Sequence, residues 1–290
     1  MTPTIHDEIE ILPVSLLDAQ RPLVERFKRL ANELHMELGW HYLLDLAWIM
    51  ARLGDVSGKR ILDAGAGVGL LQWMLAEQGA EVISVDRGDR ATLPLHLRAR
   101  YQVRGFRPSD LASPARVIGQ EIRRPLRLGR QMVEAITASH SRGQVVLYHQ
   151  DLKTLTCIAD SSLDAVVAVS ALEHNSPEGL AAVVNELLRV LKPGAPLLAT
   201  LCAAPSEDTW HAPSSGMCYT DASLRRLFQL DAAAPSNYAQ HDELFESLRA
   251  STELSNGLAR FYARSGENGM PWGKWDPQYQ PVGVCKVKTA

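Results

Sequence analysis

The stretch Ile61–Asp86, ILDAGAGVGLLQWMLAEQGAEVISVD, decides how the chain folds. Its first residues close the run Lys59-Arg-Ile-Leu-Asp63, whose apolar centre predicts a short buried strand. Glycines follow at 65, 67 and 69. From Leu70 to Gln78 the apolar spacing is helical, and Gly79 supplies the usual stop. Glu81-Val-Ile-Ser-Val-Asp86 then predicts a second strand. A strand, a glycine turn, a helix and a strand in about thirty residues make a βαβ unit, which implies a parallel sheet.

The pattern resumes downstream. Gln144–His149 and Leu163–Ser170 predict two more strands, Pro177–Leu191 a helix, and Pro196–Leu201 a fifth strand after the helix stop Lys192-Pro-Gly194. Pro281–Lys288 predicts a terminal strand. Ahead of the glycine turn, Leu23, Phe27, Leu30 and Leu34, then Leu38, Tyr42, Leu46 and Ile49, recur every three or four positions, which predicts one or two helices between Leu16 and Leu53. The fold class is α/β, doubly wound, with a mostly parallel sheet.

Composition sets the limits. The 290 residues are 46% hydrophobic and 22% charged, which excludes a disordered chain. A net charge of −3 gives no global attraction to nucleic acid or to an anionic membrane. Cys157, Cys202, Cys218 and Cys285 are scattered, with neither a CxxC pair nor histidines at ligand spacing, so no metal site or disulfide framework is expected. No signal peptide and no apolar run of about 18 residues is present, so the expectation is a soluble, cytoplasmic protein.

The glycine spacing bears on the ligand. A dinucleotide turn needs G-x-G-x-x-G, whereas Gly65, Gly67 and Gly69 read G-x-G-x-G with Leu at position 70. That favours a ligand without pyrophosphate and disfavours a nicotinamide oxidoreductase. Asp63, just before the turn, can orient an amino group, and Asp86, at the end of the next strand, is placed to accept both hydroxyls of a ribose.

Asp63-Ala-Gly65-Ala-Gly67-Val-Gly69 resembles the first motif of the class I S-adenosylmethionine-dependent methyltransferases, with Asp86 as the ribose-binding acid. Gln150-Asp151-Leu152 resembles the adenine-binding step of that family. Leu163–His174, with its Leu-Glu-His end, and Glu186–Gly194 resemble the fourth strand and the following helix and turn of the small-molecule, methyltransferase type 11-like branch. The resemblance covers roughly 60–86 and 144–202. It implies a seven-stranded Rossmann-like sheet, S-adenosylmethionine as cofactor and S-adenosylhomocysteine as product. It also implies cofactor contacts from Asp63, Gly65, Ala66, Gly67, Gly69, Asp86, Arg87, Asp151, Leu152 and Ser170, with Asp160 as an alternative to Asp151. His174, at the carboxyl end of the fourth strand, is the candidate general base, set against packing beside the cofactor. Glu173 and Asn175 share that ambiguity. His211, Tyr219 and His241 are further base candidates, and Trp40-His41-Tyr42 reads either as a lid or as core.

Between Asp86 and Gln144 the chain is longer than one crossover helix requires. Residues 87–142 hold twelve arginines, no lysine and four acids, a local charge of about +8. Ser113-Pro114 predicts a helix start, with Val117, Ile118, Ile122 and Leu126 as its apolar face. The segment reads equally as a solvated helical surface or as a lid over an anionic acceptor, with RNA binding behind both. The organisation is one methyltransferase domain over 1–290: a helical extension at 14–53, a cofactor core at 60–86 and 144–202, an arginine-rich helical insert at 87–143, and a substrate-side region at 203–290. The expected activity is methyl transfer to an O, N or C atom of a small-molecule acceptor, the class favoured including anionic and sugar-linked molecules. An RNA methyltransferase and a non-catalytic cofactor-binding protein are the alternatives. Nucleic acid ranks low as a partner, no membrane is involved, and the oligomeric state is not legible.

Overall fold

Arg60–Ala64 forms the strand that the glycine motif predicts, and it lies in the middle of the sheet. The computed structural model describes residues 5–121, 129, 132–134, 143–264, 270 and 273–289. Among these, the strands are β1 (Glu8–Ile11), β2 (Arg60–Ala64), β3 (Glu81–Asp86), β4 (Gln102–Gly105), β5 (Gln144–His149), β6 (Ala165–Val169), β7 (Pro196–Ala203), β8 (Thr209–His211), β9 (Gly216–Tyr219) and β10 (Gln280–Val287). The sheet order is β1-β10-β7-β6-β2-β3-β5-β4. From β7 to β4 every pairing is parallel, whereas β10 runs antiparallel to both β7 and β1.

The fold is therefore α/β with a mostly parallel sheet, larger than the seven strands expected. The insert contributes β4 as an added edge, paired with β5. Its four residues sit before any strong apolar alternation, so nothing in Gln102–Gly105 marks a strand. The N-terminal β1 occupies the opposite edge beside β10. The short hairpin β8–β9 joins at Cys202↔Cys218, beyond the point where β6 stops pairing with β7 at Thr200. That register extends the sheet over the carboxyl end of β6.

Strand residues alternate between two cores. Ile61, Val82, Val145, Val167 and Leu198 face one, packed by α2 (Arg21–Glu33), α3 (Tyr42–Leu53) and α4 (Leu71–Glu77), which follow the short α1 (Leu16–Ala19). Leu62, Ile83, Val166 and Leu197 face the other, covered by the helix Pro177–Val190. Burying Phe27, Trp48 and Trp73 on the first side supplies roughly 2–3 kcal/mol for each ring. Trp48 packs so closely on β10 that a Cβ at Gly283 would come within 2.4 Å of its ring. In this alternation Asp63 takes a position facing the α3 and α4 side, between Ile61 and the turn, and is 2% exposed. The strand thus buries a carboxyl where a core residue would otherwise sit.

The insert holds α5 (Leu95–Arg100) and α6 (Pro114–Glu121). Val117 of α6 is buried, as its apolar spacing predicts, and the backbone of Arg116 donates to Ser113 Oγ at 3.4 Å. Ile122 and Leu126, with Arg123, Arg124, Arg127, Arg130 and Arg142, lie outside the described residues. Among the described residues, no helix is long and apolar enough to cross a membrane.

Candidate functional site

The glycine turn is held open by side chains from three directions. Gly65 and Gly67 have φ of +72° and +48°, in the left-handed region that only glycine enters cheaply. A Cβ at Gly65 would stand 2.5 Å from that of Ala171, so a side chain here would collide with the segment after β6. Gln72 of α4 donates to the Gly69 carbonyl at 3.0 Å and accepts from Ser84 Oγ at 2.7 Å. Arg90 reaches in from the insert, donating to the Gly67 carbonyl at 2.9 Å and to the Ser84 carbonyl at 2.8 Å. The motif itself gives no sign of this brace, because an arginine four residues past a strand end is unremarkable.

Two adjoining hollows of about 210 Å³ each meet at Gly65 and Ser170, along the carboxyl ends of β2 and β6. The first is walled by Asp63, the turn from Gly65 to Gly69 with Ala66, and by Leu38, Tyr42 and Leu46. That last trio belongs to the apolar stripe whose spacing predicted a helix, and part of the stripe faces a cavity. The second hollow is walled by Asp86, Arg87, Asp151, Leu152, His174 and Asn175. The structure thus gathers every residue that the resemblance assigns to the cofactor into one crevice. It sits where open α/β sheets collect ligands.

Charge in the crevice is almost all carboxylate. Burial lifts the Asp63 carboxyl to about 7; the Arg90 guanidinium opposes that rise and Asp86 adds to it. Asp86 accepts from the Gly67 backbone at 2.8 Å through Oδ2 and from Gly88 at 2.6 Å through Oδ1, which fixes the carboxylate at the rim. Asp151 accepts from Lys153 N at 2.8 Å in a local turn. The alternative acid, Asp160, is paired with Arg189 on the far side of its loop. Ser170 has φ of +43°, unusual for a non-glycine, and its hydroxyl donates to Glu173 Oε1 at 2.6 Å.

His174 lies on the outer hollow, exposed, with Nδ1 2.8 Å from the Ser215 carbonyl. His241 points elsewhere, against Asp242. His211 is half-buried against Tyr279, and burial holds its pKa below the ordinary imidazole value. Tyr219 is buried in the core beside the helix Pro177–Val190.

Five of the insert's described arginines bond within the protein itself. Arg98 donates to the carbonyls of Ala91, Leu93 and Ala112. Arg100 pairs with Glu33 and Glu77, Arg104 with Glu81, and Arg107 with Asp110 while its guanidinium lies 4.9 Å over the Tyr148 ring. Arg90, Arg100, Arg104 and Arg107 tie the insert to the core, whereas Arg98 braces the insert internally. They lend no support to an anionic lid or an RNA surface. Arginine in place of lysine suits the task, since its fork satisfies several carbonyls at once.

S-adenosylmethionine offers an ammonium, a sulfonium, a ribose diol and an adenine. The crevice answers with a buried acid, a glycine turn at the bend, a rim carboxylate and a second carboxylate beyond it, so the residues fit that group. The parallel sheet with its reversed β10, and the acids at the ends of β2 and β3, define a class I methyltransferase fold. Residues 114–194 match the family model described as a methyltransferase domain. The ubiquinone biosynthesis O-methyltransferase of Acinetobacter baumannii strain AYE is 44% identical over 59 residues, 20% of this chain and 25% of the relative. That of Bordetella parapertussis strain 12822 is 42% identical over 48 residues, 17% of this chain and 20% of the relative. The matched part thus spans a quarter or less of these relatives. The solved [4+2]-cyclase SpnF aligns over 98% of this chain and 100% of its own, with a TM-score of 0.49 and 16% identity.

Proposed function

We propose that the protein moves a methyl group from S-adenosylmethionine to an oxygen atom of a small-molecule acceptor. The observation that carries this reading is the continuous crevice lined by Asp63, Gly65, Asp86 and Asp151. The O-methyltransferases among the partial relatives support oxygen over nitrogen or carbon.

In this reading Asp63 holds the amino group of the cofactor in the inner hollow, with Gly65, Ala66, Gly67 and Gly69 giving backbone access. Asp86, flanked by Arg87, takes the ribose hydroxyls. Asp151 and Leu152 take the adenine edge, and Ser170 stands at the junction of the two hollows. The cofactor supplies an already activated methyl group. The chain's own task is to bring the acceptor oxygen to about 3–3.5 Å from that carbon and to exclude water, which accounts for much of the rate. His174 lines the outer hollow, tied through Nδ1 to the Ser215 carbonyl, and stays the candidate base on that side.

The test is incubation with methyl-labelled S-adenosylmethionine and a set of hydroxylated small molecules, read by mass spectrometry. The reading expects label on oxygen, abolished in Asp86→Ala. Label confined to nitrogen or carbon acceptors, or S-adenosylhomocysteine formation no faster than in Asp86→Ala, would refute it.

A further inference from the structure

The start of α3 holds chemistry that the cofactor crevice leaves unused. His41 and Asp45 are one helical turn apart, on the same face, and are 4% and 0% exposed. His41 Nδ1 lies 2.6 Å from Asp45 Oδ2. A carboxylate only accepts, so Nδ1 carries the proton and Nε2 is left as a base. The protein group facing Nε2 is Tyr279 Oη, at a long 3.4 Å.

Polar atoms around this pair lack protein partners. Among the described residues, Asp45 Oδ1, Glu173 Oε2 and Trp40 Nε1 are buried without one. Buried polar groups are nearly always satisfied, so these atoms are open to a further partner. Glu173 lies within electrostatic reach of His41, and Asp45 and Glu173 both act on Tyr42. Tyr42 is the next residue along the helix and lines the inner hollow with Asp63 and Ser170. The polar cluster therefore stands one residue from the wall of the inner hollow.

Its walls are flat. The rings of Trp40, Tyr42 and Tyr279 lie 4.7, 5.1 and 5.8 Å from the His41 imidazole, and His211 stands edge-on to Tyr279 at 5.1 Å. Aromatic rings packed around the imidazole suit a planar ring bearing a hydroxyl better than a sugar. The i,i+4 spacing of His41 and Asp45 is visible in the sequence, but only burial and the 2.6 Å contact give it meaning.

We propose that His41, oriented by Asp45, is a catalytic residue that takes the proton from a phenolic acceptor docked among Trp40, Tyr42 and Tyr279. The inference rests on the methyltransferase reading and names the acceptor class within it. As the acceptor oxygen bonds to the methyl carbon, the carbon–sulfur electron pair returns to sulfur. The hydroxyl proton passes to Nε2, and the imidazolium pairs with the Asp45 carboxylate until the proton leaves to solvent.

The probe is 4-nitrophenol, whose phenolate absorbs where the neutral phenol does not. It is titrated with protein saturated in S-adenosylhomocysteine, at a pH below the probe's own pKa. The wild type is expected to raise the phenolate band on binding. His41→Gln and Asp45→Asn are expected to reduce that rise roughly tenfold, the effect of one pKa unit, with S-adenosylhomocysteine binding unchanged. Tyr279→Phe keeps the ring, removes the competing hydroxyl and is expected to keep or strengthen the band, so the proposal stands open to refutation even if the charged-pair variants do not fold. A wild type that binds S-adenosylhomocysteine but not the probe, a band undiminished in His41→Gln, or a band lost in Tyr279→Phe would overturn the proposal. Failure of the wild type to bind S-adenosylhomocysteine would instead overturn the methyltransferase reading beneath it.

Discussion

Replacing Asp63 by Asn separates what this residue does for the fold from what it does for the ligand. Asp63 is 2% exposed, and burial, opposed by Arg90 and reinforced by Asp86, raises its carboxyl from 3.8 to about 7. The folded pKa lies above the unfolded one. Ionisation therefore costs the ligand-free fold nothing below the unfolded value and its full amount above the folded value. At about 1.4 kcal/mol for each tenfold change in acidity, that cost is on the order of 4 kcal/mol. Asn has no charge to bury, but its amide gives back about 2 kcal/mol through imperfect hydrogen bonding. Asp63→Asn should therefore stabilise the ligand-free protein at pH 8 by about 2 kcal/mol, or roughly 4–8 °C in Tm; the difference should pass through zero at about pH 5 and reverse to a loss approaching about 2 kcal/mol below the unfolded pKa, where only the amide cost remains. The same change removes the partner of the cofactor's ammonium, a charged hydrogen bond worth about 1.5–3 kcal/mol, so affinity for S-adenosylhomocysteine should fall roughly 10- to 100-fold. Differential scanning fluorimetry across pH, with and without S-adenosylhomocysteine, reads both effects. A variant that is less stable at pH 8 without ligand and equally stabilised by it would refute the reasoning.

Gly65→Ala combines a left-handed backbone with a Cβ 2.5 Å from Ala171, so it should cost about 1–3 kcal/mol in denaturant unfolding and weaken cofactor binding. Arg90→Lys keeps the charge but loses the fork that spans the Gly67 and Ser84 carbonyls; calorimetry should show weaker S-adenosylhomocysteine binding, and affinity equal to wild type would remove the brace from the account. Glu253 is held at about 2 by hydrogen bonds from Arg21 and then Lys28, with burial opposing. Its folded pKa is depressed, so its contribution is present above about 4.5 and is lost as pH falls toward about 2. The Tm gap between wild type and Glu253→Gln should narrow over that range.

Much of the fold was legible because its strands carry unbroken apolar runs between turn residues. Gln144–His149 matches its predicted bounds, and the helix after Pro177 ends one residue from its predicted stop. β1, β4, β8 and β9 were not read because they are three or four residues long, too short for an alternation such as Glu8-Ile-Glu-Ile11 to stand out. The glycine turn and its acids were legible because close backbone approach restricts residue type. Arg90 was not, since its role depends on a carbonyl twenty-three positions away. The insert's charge pattern was legible only in part: counting arginines gives a sign and a magnitude but not the carboxylates and carbonyls that meet Arg90, Arg98, Arg100, Arg104 and Arg107. His41 and Asp45 fall between these cases, readable as a pair but not as buried and joined.

The most direct test of the central claim is calorimetric titration of the purified protein with S-adenosylmethionine and S-adenosylhomocysteine, with reduced nicotinamide dinucleotide as the control. The proposed function predicts micromolar binding of both sulfur compounds, weakened in Asp86→Ala, and none of the dinucleotide. Absence of binding to either sulfur compound, or preference for the dinucleotide, would contradict it.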